Sequence, residues 1–570
     1  MLKVFSAIAL LPAALMAVSS PDEGEARRPV RLSQQPIITT IQGIALIPDE
    51  QMGHCLELSH VCGLQAYDLD IPGGIECLRE RLEPLFLCAP YSKALLDEIK
   101  KEIILYYRSA GRPVVTVYVP EQDVTEGVIK LVVVEACLGE VRVCGNRWFS
   151  DKMYGKFVRL RPGRAITADT LLTDVAWMNR NPFRDANVFF VPGADEGTTD
   201  IELRVSDRFP VQFYGGGDNT GNTATGNTRW YAGATWGNVF GLGHILNYQY
   251  TTTTNVKRFQ AHSFHYTALL PWRNLILLWG GYAVVEPDIP GFPKNKGHDF
   301  QGSARYAIPF GETYYGKVQE TRFGFDFKNY DNNLIYEGDL EEVDVVTGTI
   351  NLTQFVLGYA WASENAKAKF AFDIDLYGSP VRILSNQTDA DYDELSAGAD
   401  VRYIYGRTTM GATWYLPAKY EISALGRLQI ASGALLPSEQ FGLGGYDTVR
   451  GYDERIVNID NALCLNFEFR FRPFSLLRFF GACCPQDYFT FLAFWDYGLG
   501  IPWERKFKLD LANNEPVLPP TEWLMSVGPG IRYVITNYLS ARADWGVKLH
   551  RTTFDDGSRS QFNLGFVISY

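Results

Sequence analysis

The chain has 570 residues, a net charge of −12 and a pI near 5.3, which argue against nucleic acid as its main partner. Its length predicts more than one folded unit, because single hydrophobic cores rarely grow beyond about 250–300 residues. With 46% hydrophobic and 21% charged residues, it matches neither a disordered chain nor a bundle of membrane helices. Its 14% aromatic residues and 52 glycines are typical of many strands, tight turns and interfacial aromatic rings.

The first 19 residues have the pattern of a secretory signal peptide. Lys3 is followed by an apolar run from Val4 to Val18, and Ala17 and Ser19 provide small residues for cleavage after Ser19. The alternative is a single membrane anchor, but the run is shorter than the about 20 residues that a helical span needs. Residues 20–35 contain clustered charge and two prolines, which predict a short disordered segment.

Six of the nine cysteines lie in the first quarter of the chain: Cys55, Cys62, Cys77, Cys88, Cys137 and Cys144. An oxidising periplasm permits disulfides, and Cys55 with Cys62 is the easiest local pair. The odd number leaves at least one thiol unpaired or intermolecular. No Cys/His spacing resembles a zinc site, and no nucleotide motif or nucleophile–base arrangement is found, so we expect no metal, no cofactor and no catalytic residues.

Residues 36–136 and 137–208 repeat one order of elements: strand, helix, helix, strand, strand. In the first module the predicted elements are 37–47, 75–87, 91–109, 114–119 and 127–135, with Ser92 as helix N-cap and Gly111 as helix stop. In the second they are 138–144, 149–159, 167–179, 187–191 and 199–207.

This order admits two interpretations. One is a generic pair of α+β domains. The other is a tandem of POTRA modules, periplasmic docking domains whose exposed sheet edge can add an extended peptide as a strand. The order of elements and the module size favour the POTRA interpretation.

After Phe209 the residues alternate between apolar and polar, as in 463–472 and 539–549. A water-soluble sandwich also alternates, but three features favour a transmembrane β-barrel. The segments run about 9–11 residues or longer, the span of a tilted membrane strand. Aromatics such as Trp230 and Trp361 stand at strand ends, as in interfacial girdles. The last strand alternates up to an aromatic residue, and Phe566, Ile568 and Tyr570 form its predicted assembly signal.

About sixteen strands follow from this alternation, an even number, as single-chain outer-membrane barrels require. Their predicted starts are Val211, Arg229, His244, Phe259, Asn274, Asp299, Tyr315, Ile350, Lys369, Glu394, Ala418, Ala462, Tyr488, Trp523, Tyr538 and Ser560. A closed sheet is expected because an unpaired strand edge in lipid would lose backbone hydrogen bonds. The barrel is therefore predicted over residues 209–570.

Two short motifs stand out within the predicted barrel. Val449, Arg450, Gly451 and Tyr452 lie in a long loop, 441–460, after the eleventh strand. Phe494, Asp496 and Gly498 alternate on the thirteenth strand, and period two turns them to the lumen if Trp495 faces lipid. An ionised Asp496 facing lipid would cost on the order of a few kcal/mol.

With both motifs in these strand positions, the chain resembles the TpsB transporters of two-partner secretion, the haemolysin secretion/activation type. The resemblance implies that the loop folds back into the lumen and that Arg450 pairs with Asp496. We then expect Tyr452 to pack near Phe494, and Gly498 to leave room for the loop. The alternative is a solvated Arg450, with Asp496 paired to Arg532 or Arg542.

The function implied by the resemblance is export of one large secreted partner protein across the outer membrane. POTRA modules in the periplasm would capture the unfolded partner and the barrel would conduct it. Outer-membrane lipids and the barrel assembly machinery are the other expected partners, and nucleic acid is not. A barrel insertase is the alternative, although it typically carries more POTRA modules, and a passive porin would not need residues 36–207. The short segment 20–35 departs from relatives that carry a plug helix.

Overall fold

A computed structural model describes residues 40–55, 61–124, 126–195, 197–222, 224–287, 295–311, 317–337, 342–346, 349–481, 486–503, 520–553 and 558–570. The predicted signal peptide (1–19), the predicted disordered segment (20–35) and the side chain of Cys55 lie outside this description. The chain forms two compact units, the first ending at Arg208 and the second beginning at Phe209. Among the described residues, no helix is long and apolar enough to cross a membrane.

The first module of the first unit is a four-stranded sheet packed against two long helices. Its helices are α1 (Glu50–Cys55), α2 (Ile75–Phe86) and α3 (Lys93–Ser109), and its strands are β1 (Gly43–Ile47), β2 (Gly63–Ala66), β3 (Val115–Tyr118) and β4 (Val128–Glu135). The sheet order is β2-β1-β4-β3. α2 and α3 bury residues at helical spacing, including Leu78, Leu82 and Ile103, against the sheet. The Ser92 hydroxyl accepts the Leu95 N–H at 3.2 Å and caps α3, as predicted.

The sequence prediction omitted α1 and β2 from this module. β2 has four residues, too few for alternation to identify, and its parallel pairing with β1 defines it as a strand. The second module contains helices α4 (Asp151–Phe157) and α5 (Ala168–Met178) and strands β5 (Cys137–Cys144), β6 (Arg184–Pro192) and β7 (Thr198–Asp207). Its sheet order is β5-β7-β6, and its elements follow the predicted order.

The second unit is a closed antiparallel barrel. Its strands are β8 (Val211–Asp218), β9 (Arg229–Val239), β10 (His244–Thr252), β11 (Phe259–Leu269), β12 (Leu275–Val285), β13 (Asn295–Phe310), β14 (Lys317–Glu337), β15 (Glu342–Val346), β16 (Thr349–Glu364), β17 (Ala368–Ser379), β18 (Tyr403–Tyr415), β19 (Glu421–Ala431), β22 (Asn461–Arg470), β23 (Asp487–Ile501), β24 (Glu522–Ile535), β25 (Leu539–Lys548) and β26 (Ser560–Ser569). Of these seventeen described strands, β15 pairs with the far end of β14, and the other sixteen form the ring, as predicted.

Side chains alternate between the two faces of the barrel wall. Outward-facing aromatics such as Phe300 and Phe355 are exposed, whereas the inward Arg305 and Asp326 form a buried ion pair at 2.7 Å. A water-soluble sandwich would place its charged face outside. Charges inside and aromatics outside are the arrangement of a membrane-spanning barrel.

One predicted strand start is wrong. Glu394, predicted to begin the tenth strand, lies in helix α6 (Asp389–Leu395), and that strand begins at Tyr403. The Thr388 side chain accepts the Asp391 N–H while the Asp391 carboxylate accepts the Thr388 N–H, a capping box that begins the helix. The predicted start at Tyr315 lies outside the described residues, and β14 is described from Lys317.

Candidate functional site: the lumen loop and the wall it meets

The loop between β19 and β22 contains its own short hairpin. Strands β20 (Phe441–Leu443) and β21 (Val457–Ile459) pair with each other, separate from the barrel sheet. The turn that leads to Arg450 passes through Gly444 and Gly445, whose φ values of 98° and 101° favour glycine. This geometry directs the loop tip, Val449–Tyr452, towards the inner face of the wall.

Arg450 binds Asp496 in two parallel hydrogen bonds. Its Nε and its second terminal nitrogen each donate to one carboxylate oxygen at 2.8 Å, and its backbone N–H donates to the same carboxylate at 3.0 Å. The guanidinium also lies 3.7 Å from the centre of the Phe494 ring. Arg450 is 2% exposed and Asp496 is fully buried, so this is a desolvated, bidentate pair.

Two more carboxylates face the same guanidinium. Glu468 on β22 accepts a hydrogen bond from Arg450 at 2.7 Å, and Asp544 on β25 lies 3.8 Å away. Arg532 and Arg542, the alternative partners considered for Asp496, both bind Asp544 at 2.7 Å. We call Arg450 with Glu468, Asp496 and Asp544 the tip anchor.

The tip anchor keeps Arg450 charged. Burial alone would lower the pKa of Arg450, but hydrogen bonding and charge attraction from Asp496, with smaller contributions from Glu468 and Asp544, raise it above its ordinary value. The loop tip therefore carries a fixed positive charge, and the wall must supply negative charge to receive it.

Glycines let the loop approach the wall closely. A Cβ added to Gly498 would lie 2.9 Å from Cγ2 of Val449, and one added to Gly546 would lie 2.3 Å from the carbonyl oxygen of Arg450. Gly451 has a φ of 122°, which other residues rarely adopt. The absence of a side chain at Gly498 leaves space for the loop beside the wall. Gly546 leaves further space, which the sequence motif on the thirteenth strand does not indicate.

Tyr452 is attached to the wall through its hydroxyl group. The Phe494 ring, near which we expect Tyr452 to pack, lies against the Arg450 guanidinium. The Tyr452 hydroxyl accepts the Met525 N–H at 3.1 Å and donates to the His550 carbonyl at 2.5 Å. The side chain is fully buried, in a cluster with Leu443, Val449 and other apolar residues.

Of the predicted assembly signal, Phe566 and Ile568 lie on β26, and Tyr570 follows directly after the end of this strand. Phe566 and Ile568 pair in register with Gly217 and Gly215 of β8, where the barrel closes. Ile568 is 55% exposed and Tyr570 is 90% exposed, so both present apolar surface outward. Tyr570 exchanges two backbone hydrogen bonds with Phe213, at 2.9 and 3.1 Å.

Sequence reasoning missed three side chains of the site: Glu468, Asn466 and Asp544. Asn466 donates to Asp496 at 2.8 Å, next to the Arg450 contact. All three stand on the inward face of strands whose alternation was already clear, so period two could have placed them in the lumen. It could not indicate that they surround a loop residue.

The family comparison matches the part of the chain that contains both motifs. The model of the haemolysin secretion/activation protein ShlB/FhaC/HecB matches residues 197–282 and 321–500. The chain belongs to this family. The outer membrane transporter CdiB of Dickeya dadantii is 22% identical over 64% of this chain and 64% of its own length. The heme/hemopexin transporter protein HuxB of Haemophilus influenzae is 21% identical over 76% of this chain and 74% of its own.

One solved structure is similar to this chain over its full length. The structure of CdiB from Escherichia coli has a TM-score of 0.69 at 14% identity and covers 100% of this chain and 96% of its own. At this identity the likeness establishes the fold, POTRA modules followed by a sixteen-stranded barrel. Together with the family match, it places this barrel in the outer membrane, with the POTRA modules in the periplasm.

Proposed function

We propose that this chain exports one large partner protein across the outer membrane, as in two-partner secretion. The observation that carries the proposal is the tip anchor, a loop fixed inside a closed barrel by a buried ion pair with the wall. A loop held in this way occupies part of the lumen, and a conduit for a polypeptide must remain closed until cargo arrives. No catalytic step is part of this proposal.

Capture of the unfolded partner is proposed for the free edge of the POTRA sheet at β6. Asn179 bonds the outward-facing N–H and carbonyl of Ala186, at 2.7 and 3.0 Å. Backbone groups alternate along a strand, so the N–H groups of Val188 and Phe190 point the same way, away from β7. At nine residues, β6 is longer than the four-residue edge strands β2 and β3 of the first module. An extended segment could pair there as an added strand.

Substitution of Phe190 by proline tests whether the partner pairs with the edge of β6 as an added strand. Phe190→Pro removes one outward N–H and leaves the β6–β7 ladder, whereas Phe190→Ala removes the ring and keeps the N–H. We expect secretion of the partner to fall with proline and to persist with alanine. Equal loss with both would assign the effect to the ring and would contradict strand addition.

Release of the loop is proposed as the opening step. Cargo entering from the periplasm would displace Val449–Tyr452, and folding outside the cell would supply the direction. The signal peptide, residues 1–19, would direct export to the periplasm. We further propose that Phe566, Ile568 and Tyr570 are read by the barrel assembly machinery, and that lipid then contacts the outer face.

Deletion of the gene in its own host tests the function as a whole. We expect one very large protein to disappear from the cell surface and the medium, with the levels of other barrels unchanged. A reduction of many unrelated barrels would instead indicate an insertase. An unchanged set of exported proteins would overturn the proposal.

A further inference from the structure

The limb of the loop that leaves β19, residues 432–440, contacts the wall away from the tip anchor. Ala434, Leu435 and Leu436 are buried in an apolar cluster with Tyr403 and Tyr405 of β18. The cluster also contains Tyr392 of α6, whose hydroxyl donates to the Asn351 carbonyl at 3.0 Å. The limb is therefore packed against the wall at residues that precede the loop tip in the chain.

Glu439 places a buried carboxylate in the region where the limb contacts the wall. It is 1% exposed, and it receives hydrogen bonds from Lys328 of β14, Gln354 of β16 at 3.3 Å and Tyr405 of β18 at 2.5 Å. Ser438 adds a fourth donor at 2.9 Å. Three strands of the wall thus converge on one acid from the loop.

The main chain of Glu439 is held as well. Its carbonyl accepts Arg407 of β18 at 2.7 Å and Gln429 of β19 at 3.1 Å. We call Glu439 with Lys328, Gln354 and Tyr405 the limb anchor. Its wall residues come from β14, β16 and β18, whereas those of the tip anchor come from β22, β23 and β25.

Core packing alone does not require a carboxylate at this position. A buried ion pair is often no more stabilising than apolar residues of similar size, but removing one partner leaves a charge buried without compensation. Such pairs serve best where one arrangement must be selected and later exchanged for another. The apolar residues 434–436 already bury the limb, so the charge adds a specific and breakable attachment.

We propose that Glu439 is a second, independent lock on the lumen loop, so that the pore opens only when the limb anchor and the tip anchor are both released. This rests on the proposed function, because it takes the loop as the element that closes the export path. The two anchors share no described residue and engage different strands. Their effects on opening should therefore multiply.

Conductance of the purified full chain in planar lipid bilayers tests the lock without needing the cargo. Glu439→Gln keeps the side-chain shape and removes the negative charge of the limb. Arg450→Gln removes the positive charge of the loop tip. We expect each single variant to raise the open probability at least tenfold, and the double variant by about the product of the two factors, since each removes one partner of a buried ion pair. Exchange of the limb pair, Lys328→Glu with Glu439→Lys, should restore part of the closed state.

Wild-type conductance in Glu439→Gln, or a double variant no different from Arg450→Gln, would overturn the second lock. If Glu439→Gln does not fold, as judged by heat-modifiable migration in gels, Tyr405→Phe removes one donor only and should raise opening by a smaller factor. No change with Tyr405→Phe would then count against the proposal. Secretion by the wild-type chain is measured in parallel, and its absence would reject the proposed function whatever the conductance shows.

Discussion

The lumen loop meets two regions of the wall that carry opposite charges. At the tip, the loop supplies the cation Arg450, and the wall supplies Glu468, Asp496 and Asp544. At the limb, the loop supplies the acid Glu439, and the wall supplies Lys328 with the hydroxyl of Tyr405. Both contacts are buried, and both lie on the inner face of the same barrel.

The opposite charges of the two wall regions explain why the loop adopts one position against the wall. A loop that slid or turned over would bring Arg450 towards Lys328 and Arg407, and Glu439 towards the acids of the tip region. Like charges repel strongly where water is excluded. The two regions therefore select one position of the loop rather than simply adding attraction, the use of buried ion pairs that is best supported.

The largest expected effect comes from Arg450→Ala, which removes the cation of the tip region. Loss of one partner of a buried pair costs about 3–5 kcal/mol, because the remaining charges stay buried without compensation. We expect partner secretion to be lost and bilayer conductance to rise. Arg450→Lys keeps the charge and loses the bidentate contact. Its secretion and conductance should therefore lie between those of Arg450→Ala and those of the wild type.

Exchange of the tip pair separates a direct contact from a general effect. Arg450→Asp combined with Asp496→Arg should recover part of the secretion lost in either single variant. Recovery will be incomplete because Glu468 and Asp544 would still face an acid at position 450. With normal barrel assembly, no recovery at all would contradict a direct pair.

Gly546→Ala is expected to have the next largest effect. Its Cβ would lie 2.3 Å from the Arg450 carbonyl oxygen, so the tip must shift, and overpacking of this kind costs about 1–3 kcal/mol. Gly411→Ala on β18 is the matched control, with its nearest neighbour 3.8 Å away. Increased conductance in the first and wild-type conductance in the second would show that close approach of the tip matters.

Tyr452→Phe should weaken the tip region by a smaller amount. It removes the hydrogen bonds to Met525 and His550, each worth about 0.5–1.5 kcal/mol, and keeps the buried ring. Tyr488→Phe, at a tyrosine that is 55% exposed, is the control. A modest rise in loop proteolysis confined to Tyr452→Phe is expected, and equal behaviour of the two variants would contradict it.

The smallest expected effect is a pH dependence from Glu454, which accepts the Tyr446 N–H at 3.0 Å. Burial raises the pKa of Glu454 from its ordinary 4.5 to about 7, outweighing the opposing hydrogen bond. Between these values the seated loop binds a proton that the released loop does not, so seating weakens as pH rises. Conductance should be lower at pH 5 than at pH 8, and Glu454→Gln should flatten this difference.

Alternation along the chain determined much of this protein before any fold was known. It gave fifteen of the sixteen strand positions to within a few residues or at the edge of a described segment, and it placed Asp496 and Gly498 in the lumen. The failure at Glu394 has a local cause, a capped helix of seven residues between two strands. Helical spacing likewise gave the long helices of the POTRA modules, whereas the four-residue strand β2 was too short for any period to show.

Only the tertiary structure decided which side chains meet across the lumen. Period two assigns a residue to a face of the wall, but it carries no information about distance between strands that are far apart in the chain. The placement of Arg450 over Phe494, the surrounding acids Glu468 and Asp544, and the seat of Glu439 depend on closure of the barrel and the path of the loop inside it. The sequence motifs identified residues of the loop, whereas closure of the barrel determined which wall residues they contact.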